Sequence, residues 1–263
     1  MRATALLLSS LLLVFGACQP STSSSRLENM PRHDEWVDIK QGDRTVRAYV
    51  VYPERADKGP AIVVIHENRG LTDWVRTVAD RLAENGYIAI APDLLSGTAP
   101  NGGGTKDYAS EDAAREGISK LPRPQVLADL RATVDYAKKI PSANGKVSVG
   151  GFCWGGSQTW LAANEIPELS GAYVFYGTGP QDAAGVANIQ APVFGFYGGA
   201  DARVNATIPK TEELMKGAGK RFEPVIYDGA GHAFMRAGEA SDATEPNRKA
   251  MEEGWKRWLE VIR

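Results

Sequence analysis

Residues 148–156 read Ser148-Val149-Gly150-Gly151-Phe152-Cys153-Trp154-Gly155-Gly156. The run Val147 to Gly150 predicts a buried strand, and Trp154 to Ala163 predicts a helix directly after it. Between them lies Gly-x-Cys-x-Gly, a pattern typical of a sharp strand-to-helix turn that presents a nucleophile. The helix N-terminus would favour the thiolate of Cys153, and the N–H of Trp154 would face a developing oxyanion. A cysteine placed here can also be inert core packing.

Short apolar runs alternate with helix-like segments along the rest of the chain. A helix is predicted over Asp73 to Glu84, for example, and it stops at Asn85-Gly86; another is predicted over Tyr108 to Ser119. This alternation predicts an α/β fold with a mostly parallel central sheet and helices on both faces. Ligands of such sheets bind beyond the carboxyl ends of the strands. The other predicted strands are Trp36 to Ile39, Val46 to Tyr52, Ala61 to Ile65, Tyr87 to Ala91, Ala172 to Tyr176, Val193 to Tyr197 and Phe222 to Tyr227.

An acid and a base follow two of these strands in glycine-rich loops. Asp201 comes after the strand that ends at Tyr197, and His232 comes after the strand that ends at Tyr227. The chain order is nucleophile, acid, base, which suits a thiol activated by a histidine that a carboxylate orients. Read singly, Asp201 could be a turn cap and His232 an ordinary loop residue.

Composition argues against nucleic-acid, metal and cofactor binding. The chain has 263 residues and a formal net charge of -2. It contains no basic run, which argues against a nucleic-acid partner. His66 has no accompanying metal-ligand cluster, so we expect a structural histidine, no metal site and no cofactor.

The N-terminus is typical of an exported protein. Arg2 precedes an apolar run that ends in Gly16-Ala17-Cys18, so we interpret residues 1–17 as a signal peptide and Cys18 as a lipidation site. The chain would then be anchored to a bacterial membrane and face the periplasm or the exterior. An ordinary secreted protein with a chance cysteine is the alternative. Residues 18–33 are Ser-rich and predict a flexible tether before a domain at 34–263.

From about Val37 onward the sequence resembles the dienelactone hydrolase family. The resemblance rests on the motif around Cys153, on Asp201, on Gly231 to Arg236, on His66-Glu67 and on Ala91 to Leu94. It implies an α/β-hydrolase fold, a Cys-His-Asp triad and a thioester acyl-enzyme. The implied reaction is hydrolysis of a small ester or lactone without a cofactor. We expect the protein to act as a monomer.

The resemblance also implies roles for three further residues. Glu67 matches a glutamate that contacts the thiol and is displaced when substrate binds, although it could instead cap a turn or pair with Arg69. Asn68 would supply the second oxyanion N–H beside Trp154. Arg236 matches an arginine that binds a substrate carboxylate, with a solvated surface arginine as the alternative. The family's second arginine is absent, because Leu95 to Thr98 occupy that region, which leaves other lactones or esters open.

Three aromatic residues complete the expected site. Tyr108, Tyr176 and Phe234 are expected to line an apolar substrate pocket, although aromatics near such loops are often plain core. A second hypothesis for function is a membrane-anchored binding or redox-sensing protein that uses the fold without turnover. Acyl transfer to an acceptor other than water is a third.

Overall fold

A computed structural model describes residues 23–262. The expected signal peptide over residues 1–17 and the expected lipidation of Cys18 lie outside the described residues. Within residues 23–262, no helix has both the length and the hydrophobicity needed to cross a bilayer.

Eight strands form one sheet, in the order β1-β2-β4-β3-β5-β6-β7-β8. The strand β2 runs antiparallel to both of its neighbours, and every other pair is parallel. The prediction of a mostly parallel central sheet is therefore confirmed. The strands are β1 (Asp34–Gln41), β2 (Arg44–Val51), β3 (Gly59–Ile65), β4 (Ile88–Pro92), β5 (Ala143–Phe152), β6 (Ala172–Phe175), β7 (Val193–Gly198) and β8 (Phe222–Tyr227).

Helices cover both faces of the sheet. One face packs against α4, α5 and α7, and the other packs against α2, α8 and α9. The helices are α1 (Ser23–Glu28), α2 (Asp73–Glu84), α3 (Glu111–Ser119), α4 (Arg123–Lys139), α5 (Trp154–Glu165), α6 (Ala202–Asn205), α7 (Ile208–Gly217), α8 (Phe234–Ala237) and α9 (Glu245–Val261).

The position of β3 in the centre of the sheet explains why residues 61–65 are continuously apolar. Ala61, Val63 and Ile65 pack into the core on one face, whereas Ile62 and Val64 pack into the core on the other. Side chains alternate between the two faces of a strand, so a strand covered on both sides needs an apolar residue at every position.

Local capping sets one boundary later than the sequence predicts. The predicted helix over Tyr108 to Ser119 begins at Glu111, because the hydroxyl of Ser110 accepts a hydrogen bond from the N–H of Ala113 at 3.1 Å. The helices α6 and α8 have four residues each, too few for a hydrophobic period to reveal them.

The predicted tether differs from the structure over residues 23–33. The segment begins with α1, and Arg26 and Arg32 both bind the carboxylate of Asp80, at 2.8 and 2.6 Å. The Asp80 side chain is 1% exposed, and Met30 packs against the core beside it. The contacts that hold the segment are ionic and depend on a distant residue, so they leave no hydrophobic period in the sequence.

We predict that Asp80→Asn lowers the free energy of unfolding by about 1–3 kcal/mol, because a buried acceptor of two charged donors loses its charge. The measurement is urea denaturation followed by circular dichroism. Asp57→Asn is the matched control, since its ion pair with Arg55 involves a carboxylate that is 77% exposed; it should leave the urea midpoint nearly unchanged. Equal effects of the two substitutions would contradict the buried clamp.

Candidate active site

The turn at Cys153 joins the end of β5 to the start of α5. Its backbone has φ 56° and ψ -114°, in the region that side chains with a Cβ avoid. The turn is so tight that a Cβ at Gly151 would collide with the carbonyl of Gly155, and one at Gly155 would collide with the backbone of Ile65. The glycines of the motif are therefore needed for close packing. The turn leaves the thiol of Cys153 partly exposed.

A carboxylate and an imidazole meet beside this turn. The Nδ1 atom of His232 lies 2.5 Å from Oδ2 of Asp201, which is 8% exposed. The other oxygen of Asp201 accepts a hydrogen bond from the N–H of Val204 at 3.3 Å and caps α6. Asp201 thus caps a helix and orients the imidazole, so both interpretations of this residue hold.

The imidazole of His232 also contacts the thiol. A hydrogen bond with Cys153 is the main cause that raises the pKa of His232 to about 9, and the hydrogen bond with Asp201 adds to it against the opposing effect of burial. The structure therefore places sulfur, imidazole and carboxylate in series. At neutral pH this arrangement favours an imidazolium beside the sulfur.

Tyr176 packs against His232, and its phenol stays protonated. Its ring contacts the His232 ring edge-on, with the centroids 5.1 Å apart. Burial raises the pKa of Tyr176 well above its ordinary value, and the charges of Glu67 and Cys153 raise it further, so the phenol stays neutral. Within residues 23–262, Cys153, Tyr176 and Ala233 are the non-glycine residues with positive φ. All three lie at this site, where such strain is commonly concentrated.

Glu67 is buried beside the site and pairs with Arg236. Its Oε2 accepts from Nε of Arg236 at 2.8 Å, and its Oε1 has no hydrogen-bond partner within the described chain. Glu67 is 4% exposed, so half of a buried carboxylate is left unsatisfied. Arg69 pairs instead with Glu111, so the alternative Glu67–Arg69 pair does not form. The resemblance implied a contact of this glutamate with the thiol, whereas its hydrogen bond goes to Arg236.

His66 holds the loop that carries Asn68. Its Nδ1 bonds to the carbonyl of Glu67 at 2.8 Å, and its Nε2 accepts from the N–H of Leu94 at 3.2 Å. Burial lowers the pKa of His66, so the ring is neutral and its tautomer is set by these two bonds. The ring also stacks on Trp154 at 5.5 Å. This histidine is structural, as expected.

Asn68 and Trp154, the two predicted oxyanion donors, lie beside Cys153 in one cavity. The N–H of Trp154 belongs to the first residue of α5 and has no acceptor within the helix. The N–H of Asn68 has no backbone acceptor in the part of the chain that the structure describes. Both residues line the cavity at Cys153, so two N–H groups are available for one oxygen.

The cavity at Cys153 has a volume of about 310 Å³. Tyr176 lines it, but Tyr108 and Phe234 do not, contrary to the expectation from sequence. Arg236, which was expected to bind a substrate carboxylate, does not line it either. Phe234 lies fully in the core and supports Tyr176 from behind, at 5.4 Å between ring centroids. The hydroxyl of Tyr108 bonds to Thr98 at 3.0 Å, which turns its ring into a small cluster under the loop. The lining residues are Asn68, Arg115, Ile118, Ser119, Cys153, Trp154, Ser157, Tyr176, Thr178 and Arg203.

Sequence reasoning missed several of these lining residues. Arg203 lies two positions after Asp201, which could have indicated it. Ser157 lies one helical turn after Cys153, and its hydroxyl bonds to that of Thr178 at 2.8 Å. Arg115 comes from α3, and nothing in its local sequence connects it with the motif. Across residues 23–262, no group of three or more His, Cys, Asp or Glu side chains is placed to hold a metal ion.

Comparison with known proteins agrees with this geometry. A protein of Methylorubrum extorquens named "Putative carboxymethylenebutenolidase" is 35% identical over 240 residues, covering 86% of this chain and 79% of that protein. An Escherichia coli K12 protein of the same name is 33% identical and covers 84% of this chain and 82% of its own. The crystal structure of a "Putative Dienelactone Hydrolase" from Klebsiella pneumoniae superposes with a TM-score of 0.75 at 29% identity, covering 87% and 97% of the two chains. The model of the dienelactone hydrolase family matches residues 46–263. The chain therefore has the α/β-hydrolase fold and belongs to the dienelactone hydrolase family.

Proposed function

We propose that the protein hydrolyses a small carboxylic ester or lactone, with Cys153 as nucleophile, His232 as proton shuttle and Asp201 as the group that orients the imidazole. The observation that carries the proposal is the series of contacts from sulfur to imidazole to carboxylate. A cysteine that only packed the core would need no histidine held by a buried acid.

In the first half of the reaction the thiolate of Cys153 attacks the acyl carbon. The carbonyl oxygen becomes an oxyanion that the N–H groups of Asn68 and Trp154 stabilise. The C–O bond to the leaving group then breaks as the imidazolium of His232 protonates the departing oxygen. The product of this half is a thioester on Cys153 and, for a lactone, the leaving hydroxyl stays attached to the acyl group.

In the second half water replaces the leaving group. His232 removes a proton from the water as its oxygen attacks the thioester carbon, and the same N–H groups hold the new oxyanion. The C–S bond breaks, the acid leaves and the thiolate beside the imidazolium is restored. Asp201 keeps the Nε2 atom directed at the sulfur throughout, because its bond occupies Nδ1.

Glu67 would restrain the thiol between turnovers. Its buried charge acts on Tyr176 together with that of Cys153, so the two negative groups share one small region. Like charges at close range disfavour each other, and the pair with Arg236 limits this effect without removing it. The resemblance implies that substrate binding displaces the carboxylate of Glu67 from this position.

We predict that Cys153→Ala lowers kcat/KM for p-nitrophenyl acetate and for a small lactone by roughly 10³-fold or more, because no other group can carry the acyl intermediate. Turnover is followed by absorbance and by acid release. Intact-mass spectrometry of Asp201→Asn mixed with substrate should show the acyl adduct on Cys153. Unchanged melting of Cys153→Ala is the folding control. Undiminished turnover by this variant would refute the mechanism, and a thiol that oxidises reversibly in a protein inactive on every ester tested would favour redox sensing.

The titration of His232 gives an independent check. The chain has three histidines, so their imidazole ¹⁵N signals can be separated. We expect a pKa of about 9 for His232 in the native protein and a clear decrease in Cys153→Ala, because the thiol is the main cause of the increase. The pKa of His232 in the folded protein lies above its ordinary value of 6.5. Protonated His232 therefore stabilises the folded state fully below pH 6.5, and this contribution is lost as pH rises through about 9. An unchanged pKa of His232 in Cys153→Ala would contradict the contact with sulfur.

Removing the charge of Glu67 tests its restraint on the thiol. Glu67→Gln should increase the rate at which iodoacetamide alkylates Cys153 in the absence of substrate, because a negative charge near the sulfur is lost. It should also lower kcat/KM by about 10-fold or more, since Arg236 loses its partner. Glu111→Gln removes the exposed partner of Arg69 and serves as the matched control. Slower alkylation in Glu67→Gln than in the native protein would contradict the restraint.

A further inference from the structure

A second cavity lies away from Cys153, between the β1–β2 hairpin and the loop over residues 97–107. Its volume is about 470 Å³, larger than the 310 Å³ at the thiol. Its walls include Trp36, Arg47, Leu71, Arg76 and Thr105. We name it the Trp36 cleft. None of the residues that line the cavity at Cys153 lines this cleft, and the proposed mechanism uses no part of it.

Two arginines stack on one indole in the Trp36 cleft. The guanidinium carbon of Arg47 lies 4.8 Å from the centre of the Trp36 ring, and that of Arg76 lies 5.5 Å from it. Trp36 remains 41% exposed, which is high for so large an apolar side chain. The cleft therefore combines an accessible aromatic surface with two positive charges held close together.

Most carboxylates that line the cleft already have donors. Both oxygens of Asp93 are engaged by Thr105, through its N–H at 2.7 Å and its hydroxyl at 2.7 Å, and the N–H of Leu95 adds a third bond at 3.1 Å. Asp107 accepts from the N–H of Gly104 at 2.8 Å. These carboxylates hold the loop and are not directed to the arginines.

The two arginines keep unused donors. Arg76 gives one N–H to Asp73 at 3.0 Å, but its buried Nε has no acceptor within the described chain. Arg47 stands opposite Asp38 in the β1–β2 register, yet across residues 23–262 it forms no ion pair within 4.0 Å. A buried guanidinium Nε without an acceptor, such as that of Arg76, is costly, and the exposed donors of Arg47 are free to bind an anion in the cleft.

We propose that the Trp36 cleft binds a small aromatic or unsaturated carboxylate. A guanidinium fork matches a carboxylate with two parallel hydrogen bonds, and the guanidinium groups of Arg47 and Arg76 both lie against the Trp36 ring. The Trp36 ring and the Leu71 side chain suit a flat apolar body that stacks beside the charged group. A strongly hydrated anion without a flat apolar group would make no stacking contact with the indole and should bind more weakly.

Calorimetric titration of the full chain with benzoate tests the proposal, using Cys153→Ala so that no chemistry occurs. Benzoate should bind one site, and Arg47→Gln should weaken it by about 10-fold or more. Trp36→Leu should also weaken it, which keeps the test valid if Arg47→Gln fails to fold. Benzamide, the neutral isostere, and inorganic phosphate, which lacks the flat body, should both bind more weakly than benzoate by about 10-fold.

The control variants separate this cleft from the cavity at Cys153. Lys216→Gln removes an exposed charge on α7 and should leave benzoate binding unchanged. Arg203→Gln removes a guanidinium from the cavity at Cys153 and should also leave it unchanged. Binding that disappears in Arg203→Gln and survives in Arg47→Gln would overturn the proposal, as would phosphate binding equal to that of benzoate or no benzoate binding at all.

Discussion

The positive φ of Cys153 is the constraint on which the site depends. A residue with a Cβ costs of order 1–3 kcal/mol in such a conformation, so the surrounding structure must hold it there. The N–H of Cys153 donates to the carbonyl of Phe175 at 3.0 Å, which ties the turn to β6. The ring of Phe152 stacks on that of Phe175 at 4.7 Å and meets Trp258 at 5.9 Å, so the residue before the nucleophile is fixed in the core. The strained turn is thus held by a sheet bond and an aromatic cluster.

Charge is distributed around the thiol in pairs. His232 lies between the thiol and Asp201, whereas Glu67 lies against Arg236. Neutral groups separate the pairs, because the phenol of Tyr176 is too buried to ionise. In the mechanism that we propose, this separation allows the imidazole to exchange a proton with the sulfur while Glu67 keeps its pair with Arg236. The Oε1 atom of Glu67 is the one carboxylate oxygen of these two pairs that is buried without a hydrogen-bond partner among the described residues.

Two features of this chain lie before residue 46, where the match to the family begins. Arg26 and Arg32 clamp the first described segment to Asp80, and Trp36 forms the wall of the Trp36 cleft. Both use arginine, once against a buried carboxylate and once against an indole. In the first case one buried carboxylate accepts from both arginines, whereas in the second Arg76 pairs with Asp73 and Arg47 forms no ion pair within the described residues.

The strands, the turn at Cys153 and the chain order of thiol, acid and base could all be predicted from local sequence. Continuous apolar runs and glycine spacing are local consequences of burial and of close backbone approach, so they can be read without coordinates. The sequence could not determine that Arg236 turns to Glu67, that Tyr108 and Phe234 point away from the cavity, or that Arg32 reaches Asp80. Each of these depends on which distant side chain fills a given space or satisfies a given charge, and only the folded chain decides that.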